Sequence, residues 1–297
     1  MRAVVTGGAG FIGSNLVDAL VARSDEVVVV DDLSSGKREF VNPDATFLEG
    51  DIRGGIDAGH ADVVFHLAAQ ADVVTSVERP DHDAAVNVVG TVQVLEAARA
   101  ASAHVVFSST GGAIYGECDG PAPESSPRRP LSPYGIAKLC AEEYLGGWNR
   151  IHGSHHVVLR FGNVYGPRQD SSLEGGVVSI FLERLHRGDE TVIFGDGLQT
   201  RDFVYVGDVV GAMLAAAQAQ GGVFNIGTGE ETTVRELHGL CAQIAGVDDA
   251  PRFEPARLGE ARRSVLDVSN AAAGLGWRPA TPLGKGLRRT WEWLTQD

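Results

Sequence analysis

The chain has 297 residues, 43% hydrophobic and 22% charged, enough for one large or two modest globular domains with a sizeable core. Its net charge of −14 argues against nucleic acid or an anionic membrane surface as a partner, since both need a basic footprint. No apolar run approaches the roughly 18 residues of a membrane span. Three scattered cysteines (Cys118, Cys140, Cys241) form no disulfide or zinc pattern, so a cytoplasmic protein without a metal is expected.

The opening MRAVVTGGAG enters a strand pattern at once, without the layout of a signal peptide. Strands are predicted at 2–6 (RAVVT), 26–31 (EVVVVD), 45–49 (ATFLE), 62–67 (DVVFHL), 104–109 (HVVFSS) and 156–161 (HVVLRF). Amphipathic stretches such as FIGSNLVDALVAR and DAAVNVVGTVQVLEAARA lie between them. Apolar strands alternating with helices indicate βαβ units and a parallel sheet buried on both faces. The expected fold is therefore a Rossmann-type doubly wound α/β domain over 1–162, with some later segments returning to it. Residues 163–297, rich in Gly/Pro loops, read as a smaller mixed α/β region for substrate. PAPESSPRRPLSP (121–133) reads as a proline-rich surface loop.

TGGAGFIG (6–13) joins the first strand to the first helix, and Gly8, Gly10 and Gly13 fit a G-x-G-x-x-G spacing, with Gly7 in addition. Glycines there permit a tight turn and close approach of a pyrophosphate to backbone N–H groups at a helix N-terminus. Asp31, ending the second strand, sits where an acid would bind the adenosine ribose and repel a 2′-phosphate. NAD is thus favoured, while Lys37 and Arg38 leave NADP as the alternative. In SPYGIAK (132–138), Tyr134 and Lys138 share one helix face at i, i+4. A tyrosine has an ordinary pKa near 10, and a neighbouring ammonium favours its phenolate.

Many further motifs stand in order: DDLSSGKRE, GDI, HLAAQ, VNVVGT, SSTGGAIYG, LRFGNVYGPRQ, GDGLQTRDFVYVGDV and PARLGE. Over essentially its whole length the chain resembles the extended short-chain dehydrogenase/reductases, and among them the NAD-dependent nucleotide-sugar epimerases and dehydratases. The resemblance implies that Tyr134 and Lys138 act with a hydroxyl at the end of the fifth strand, Thr110 or, as the alternative, Ser109. It implies NAD contacts from Gly7, Gly10, Phe11, Ile12, Gly13, Asp31, Asp32, Ser35, Gly36, Asp51, Ile52, Leu67, Ala68, Ala69, Gln70, Asn87 and Ser108, besides Tyr134 and Lys138. Where the family's dehydratases carry an Asp-Glu pair after the catalytic Thr, this chain has Gly111 and Gly112. The GGAIYG form resembles the 4-epimerase subgroup acting on UDP-glucose and UDP-galactose. Its mechanism implies proton removal from the C4 hydroxyl by Tyr134, a transient 4-keto sugar and no net redox change.

The resemblance further implies a UDP-sugar held by Ser109, Thr110 and Tyr134 at the hexose. Asn163, Arg201 and Arg257 are expected at the diphosphate, Glu260 at the uridine ribose, and Val178, Val192 and Phe194 around the uracil. Ser264, four residues after Glu260, is small where some relatives carry tyrosine, which leaves room for a 2-acetamido group. Two rival readings accompany this one: a UDP-glucuronate 4-epimerase or decarboxylase, with Arg168 or Arg187 at the carboxylate, and a non-catalytic cofactor-binding sensor. A homodimer is expected through the helices carrying DAAVNVVGTVQVLEAARA and SPYGIAKLCAEEYLGGW, packed as a four-helix bundle.

Overall fold

The structure, a computed structural model, describes residues 1–171, 176–248, 250–256 and 261–296. Seven parallel strands form its central sheet: β1 (Arg2–Thr6), β2 (Glu26–Asp31), β3 (Thr46–Glu49), β4 (Val63–His66), β5 (His104–Thr110), β6 (Val157–Phe161) and β11 (Gly222–Ile226). Their order across the sheet is β11-β6-β5-β4-β1-β2-β3. Those at the centre are almost entirely buried, as both faces of a parallel sheet require, which explains their unbroken Val-rich runs. The six predicted strands are found to within one residue at either end, so the fold class holds. β11 escaped the sequence because GVFNI opens on the second of two glycines and carries Asn225, a poor strand former.

Because β1 lies between β2 and β4, the loops leaving β1 and β4 diverge and open a crevice at their carboxyl ends. Helices α1 (Phe11–Ala22) and α8 (Val206–Ala216) cover one face through Leu16, Val17, Leu20, Val209 and Met213. The other face is covered from two sides. Helix α2 (Val73–Glu78) leads into α3 (Pro80–Ala84), a π-helical stretch (Ala85–Gly90) and α4 (Thr91–Ala101). Helix α6 (Pro133–His152), reached through the short α5 (Gly111–Ile114), packs Ala141 and Leu145 beside Val94 and Leu95 of α4. A π-turn breaks the helical register, often at a functional position; here it carries Asn87.

The second half gathers α7 (Val177–Arg187), α9 (Val234–Ala245) and α11 (Leu283–Leu294) around a core of Phe181, Leu182, Ile193 and Leu237. Its short strands pair as β7 (Asn163–Tyr165) with β10 (Phe203–Tyr205), and β8 (Val192–Phe194) with β13 (Arg252–Glu254). A third small sheet sets β9 (Thr200–Arg201) between β12 (Thr232–Thr233) and β14 (Arg263–Ser264), and α10 (Ser269–Gly274) packs near β11. The segment 121–133 is more than a surface loop. Ala122 is buried and bridges to Leu266, and the Glu124 carboxylate accepts the Asn225 N–H at 2.7 Å. No helix among the described residues is long and apolar enough to cross a membrane.

Candidate active site

The turn after β1 is built by Gly7 rather than Gly8. Gly7 has φ +72°, and a Cβ there would stand 2.6 Å from the Ala68 nitrogen, so only glycine fits between the β1 and β4 exits. A Cβ on Gly13 would lie 2.1 Å from the Gly7 carbonyl oxygen, which lets α1 press its first turn against the loop. The working spacing is therefore Gly7, Gly10, Gly13. Gly10 caps α1 without a side chain, leaving the N–H groups of Phe11, Ile12 and Gly13 for an anion. The cradle fits a dinucleotide pyrophosphate.

Asp31 is buried at the end of β2, where Oδ2 accepts the Ala9 N–H and Oδ1 the Leu33 N–H, both at 2.9 Å. Burial raises its pKa, with the two backbone donors opposing. Gly36 has to be small because a Cβ would come 2.9 Å from Asp31 Oδ1. Asp32 turns outward to cap Ser34, and Ser35 is exposed. Lys37 and Arg38 lie over the rings of Phe40 and Phe47. Asp51 grips Arg53 and caps a short 3-10 turn, while the Ile52 side chain goes into the core against Gly90. At the β4 exit, Leu67, Ala68 and Ala69 line the crevice beside Gly7. The Asn87 amide holds the Gln70 backbone at both ends, accepting its N–H at 3.0 Å and donating to its carbonyl at 2.8 Å.

Thr110, Tyr134 and Lys138 meet at the carboxyl end of β5. The Thr110 hydroxyl is in hydrogen-bonding reach of the Tyr134 phenol and accepts the Ala113 N–H at 3.2 Å, capping α5. Lys138, 3% exposed, donates to the Ser108 carbonyl at 3.0 Å; Ser108 in turn donates its hydroxyl to the His66 carbonyl. Burial pushes the Tyr134 phenol up to about 12 and pulls the Lys138 ammonium down to about 8. The charge of Asp83 adds to the first shift; with Glu142 it opposes the second.

Ser109 requires a correction. Its hydroxyl is committed further along α6, where it donates to Glu142 Oε1 at 2.6 Å. It is neither the partner of Tyr134 nor a wall of the sugar site. On the substrate side, the space above Gly112 is bounded by Thr110 Oγ1 and Asn163 Oδ1, each 3.9 Å from a Cβ built there, and Ser264 Oγ at 4.0 Å. Ser264 is buried and paired directly with Arg201 across β14 and β9. Arg201 donates to the Thr200 carbonyl at 2.8 Å. Val192 and Phe194 are half-buried on β8, but Val178 is turned into the core with Phe181 and Ile193, a second correction. Arg257 and Glu260 lie outside the described residues. Arg168 pairs through Nη2 with Asp18 of α1, and Arg187 with Glu183 on the outer face of α7.

Sequence reasoning missed three groups around the centre, His66, Glu142 and Asp83. His66 is wedged between the Thr6 and Thr91 hydroxyls at 2.8 and 3.0 Å and held neutral, its pKa pulled by burial to about 3. Glu142 pairs with Arg160 at 2.6 Å, both buried beneath β5, and the i, i+4, i+8 ladder Tyr134–Lys138–Glu142 could have pointed to the acid. Asp83, on α3, accepts from Gln70 and Asn87. Gly111 is demanded by packing, since a Cβ would meet Leu266 at 2.6 Å.

Comparison with known proteins places this geometry. The model of the "NAD dependent epimerase/dehydratase family" matches residues 3–227. A UDP-glucose 4-epimerase of Mycolicibacterium smegmatis is 46% identical, over 99% of this chain and 98% of that protein. The crystal structure of a UDP-glucose 4-epimerase with UDP-glucose from Thermotoga maritima is 47% identical, covers 99% of this chain and 98% of its own, and superposes with a TM-score of 0.95. A Thermus thermophilus UDP-glucose 4-epimerase in complex with NAD is 42% identical with a TM-score of 0.91, at 99% and 98% coverage. This chain belongs to the NAD-dependent epimerase/dehydratase family.

Proposed function

We propose that the protein is a 4-epimerase of UDP-hexoses, using NAD to interconvert UDP-glucose and UDP-galactose. The observation that carries this reading is the junction of Thr110, Tyr134 and Lys138 at the edge of a space floored by Gly112. Glycines occupy both positions where elimination of water would need an acid and a base. Tyr134 removes the proton of the C4 hydroxyl and later returns it, and Thr110 hydrogen-bonds the reacting oxygen. Lys138 supplies the positive charge that favours the phenolate and holds the nicotinamide ribose. NAD, held at the Gly7–Gly13 turn and Asp31, would supply a reversible hydride acceptor for C4. Asp31, buried at the ribose position, supports NAD over NADP.

Asn163 and Arg201, with Arg257, are assigned to the diphosphate, and Glu260 to the uridine ribose. Ser264 beside Gly112 leaves volume for an N-acetyl group, so UDP-GlcNAc and UDP-GalNAc are included as substrates. The pairing of Arg168 and Arg187 with local carboxylates disfavours a uronate. Residues 163–297 are taken as mainly the sugar-nucleotide half. Exposed Val89, Ile136, Tyr144 and Ile151 on the π-stretch and α6 support a homodimer through this face, checked by light scattering.

The test is NMR of the purified protein with UDP-galactose and no added cofactor, following the anomeric signals. Conversion to UDP-glucose is expected from NAD retained through purification. No conversion even with NAD added would overturn the assignment.

A further inference from the structure

Two buried carboxylates flank the Tyr134–Lys138 pair, and of the two Glu142 is the one held in a salt bridge with a guanidinium. Glu142 is bound to the Arg160 guanidinium through three contacts of 2.6 to 3.2 Å. Asp83 is 1% exposed, and its hydrogen-bond partners are two amides, Gln70 Nε2 and Asn87 Nδ2, both 2.9 Å from Oδ1. A buried carboxylate held by neutral donors alone is costly, which points to a compensating charge or a function. α3 packs on α6, and Asp83 lies within electrostatic reach of both Lys138 and Tyr134.

We propose that Asp83 is a positioning residue of the active site: it locks the β4 exit loop through Gln70 and Asn87 and supplies the negative charge that keeps Lys138 cationic. This rests on Tyr134 and Lys138 being the acid–base pair. The amide ladder is continuous. Asn87 clamps the Gln70 backbone, Asp83 and the Asp72 carbonyl receive the Gln70 side chain, and Gln70 Oε1 accepts the Asp72 N–H. One carboxylate thus fixes the segment lying against Gly7.

Among the described residues, the charged and titratable groups facing the pair are Asp83 from α3, Glu142 one turn further along α6, and neutral His66 from β4; His82 adjoins Asp83. Burial works against the Lys138 ammonium, and Asp83 and Glu142 work for it. Withdrawing the Asp83 charge makes both Lys138 and Tyr134 easier to deprotonate. Both limbs of the kcat profile then move to lower pH, whereas a purely structural lesion lowers its height without moving them.

The experiment is the kcat–pH profile of Asp83→Asn, which keeps shape and acceptor, of Asp83→Ala, which keeps neither, and of Asp83→Ser, whose shorter hydroxyl falls short of the two amides, with folding checked by near-UV circular dichroism. Both limbs are expected to fall by about one pH unit in each, and Asp83→Ser is also expected to release NAD during purification. Limbs that stay in place overturn the proposal. The chain has only three lysines, Lys37, Lys138 and Lys285, so Cε-labelled lysine NMR follows Lys138 in the wild-type holoenzyme even where a variant does not fold. A Lys138 already neutral at pH 7 there overturns the charge role. Tyr134→Phe runs in parallel: if it is active, the pair itself is wrongly assigned. If it is inactive while the Asp83 variants keep their limbs, only the role of Asp83 falls.

Discussion

The Ser109 hydroxyl donates to the Glu142 carboxylate across 2.6 Å, while the next residue along β5, Thr110, meets Tyr134 at the start of the same helix. Two adjacent hydroxyls thereby have different partners, and only that of Thr110 reaches the proposed acid–base pair. Thr110→Val is expected to lower kcat about 100-fold with little change in thermal stability. Ser109→Ala should cost about 2 kcal/mol of stability, as loss of a buried bond to a charged group does, with kcat within a few-fold. Steady-state rates and urea unfolding of the two variants check this, and the reverse pattern would sink it.

Tyr134 should titrate near 12 in cofactor-free protein, because burial dominates its shift. NAD+ binding is expected to lower it, since a positive ring favours the phenolate. The phenolate absorbance, with Tyr134→Phe as the blank, reads the change; no fall on adding NAD+ would count against Tyr134 as the base. Loss of the Lys138 proton near pH 8 should set the alkaline limb of the activity profile.

The protein is expected to lose stability steadily below about pH 6.5. Burial pulls His66 down to about 3 and His156 to about 4, whereas both bind a proton near 6.5 when unfolded. The unfolded chain therefore takes up protons first as pH falls. Stability present above 6.5 is lost on the way down to the folded values, by several kcal/mol in all. His156, whose Nδ1 accepts the Val105 N–H at 3.1 Å, is the group to test. His156→Gln should flatten the slope of unfolding free energy between pH 4 and 6.5.

Ser264→Tyr should abolish turnover of N-acetylated UDP-hexoses and spare UDP-galactose, because a ring there fills the space beside Gly112. Equal loss on both substrates would mean that Ser264 does not set this choice.

Gly7→Ala should purify without NAD and with a lowered melting temperature, since it needs a positive φ and a methyl 2.6 Å from the Ala68 backbone. Cofactor content by absorbance after denaturation is the readout.

What can be read from the sequence follows from periodicity and local spacing. Buried parallel strands announce themselves by runs such as VVVV, and the i, i+4 rule alone puts Tyr134 beside Lys138. Ser109 is ambiguous in sequence because which residue of α6 each of two adjacent hydroxyls meets is set by how that helix packs on β5. Asp83 is invisible because α3 and the Gln70 loop are joined only through tertiary packing. Val178 misleads for a related reason: a helix near a pocket buries some of its residues in its own core.

The position of β11 has a consequence for biosynthesis. Gly222–Ile226 forms the last strand of the sheet, hydrogen-bonded to β6 although more than sixty residues later in sequence. Until that segment leaves the ribosome, β6 presents a bare edge to the cell. A nascent chain halted between the two would hold every residue of the glycine turn and the Tyr134–Lys138 helix, yet still be prone to pairing with a neighbour. Its vulnerable interval on the ribosome is set by the spacing between β6 and β11.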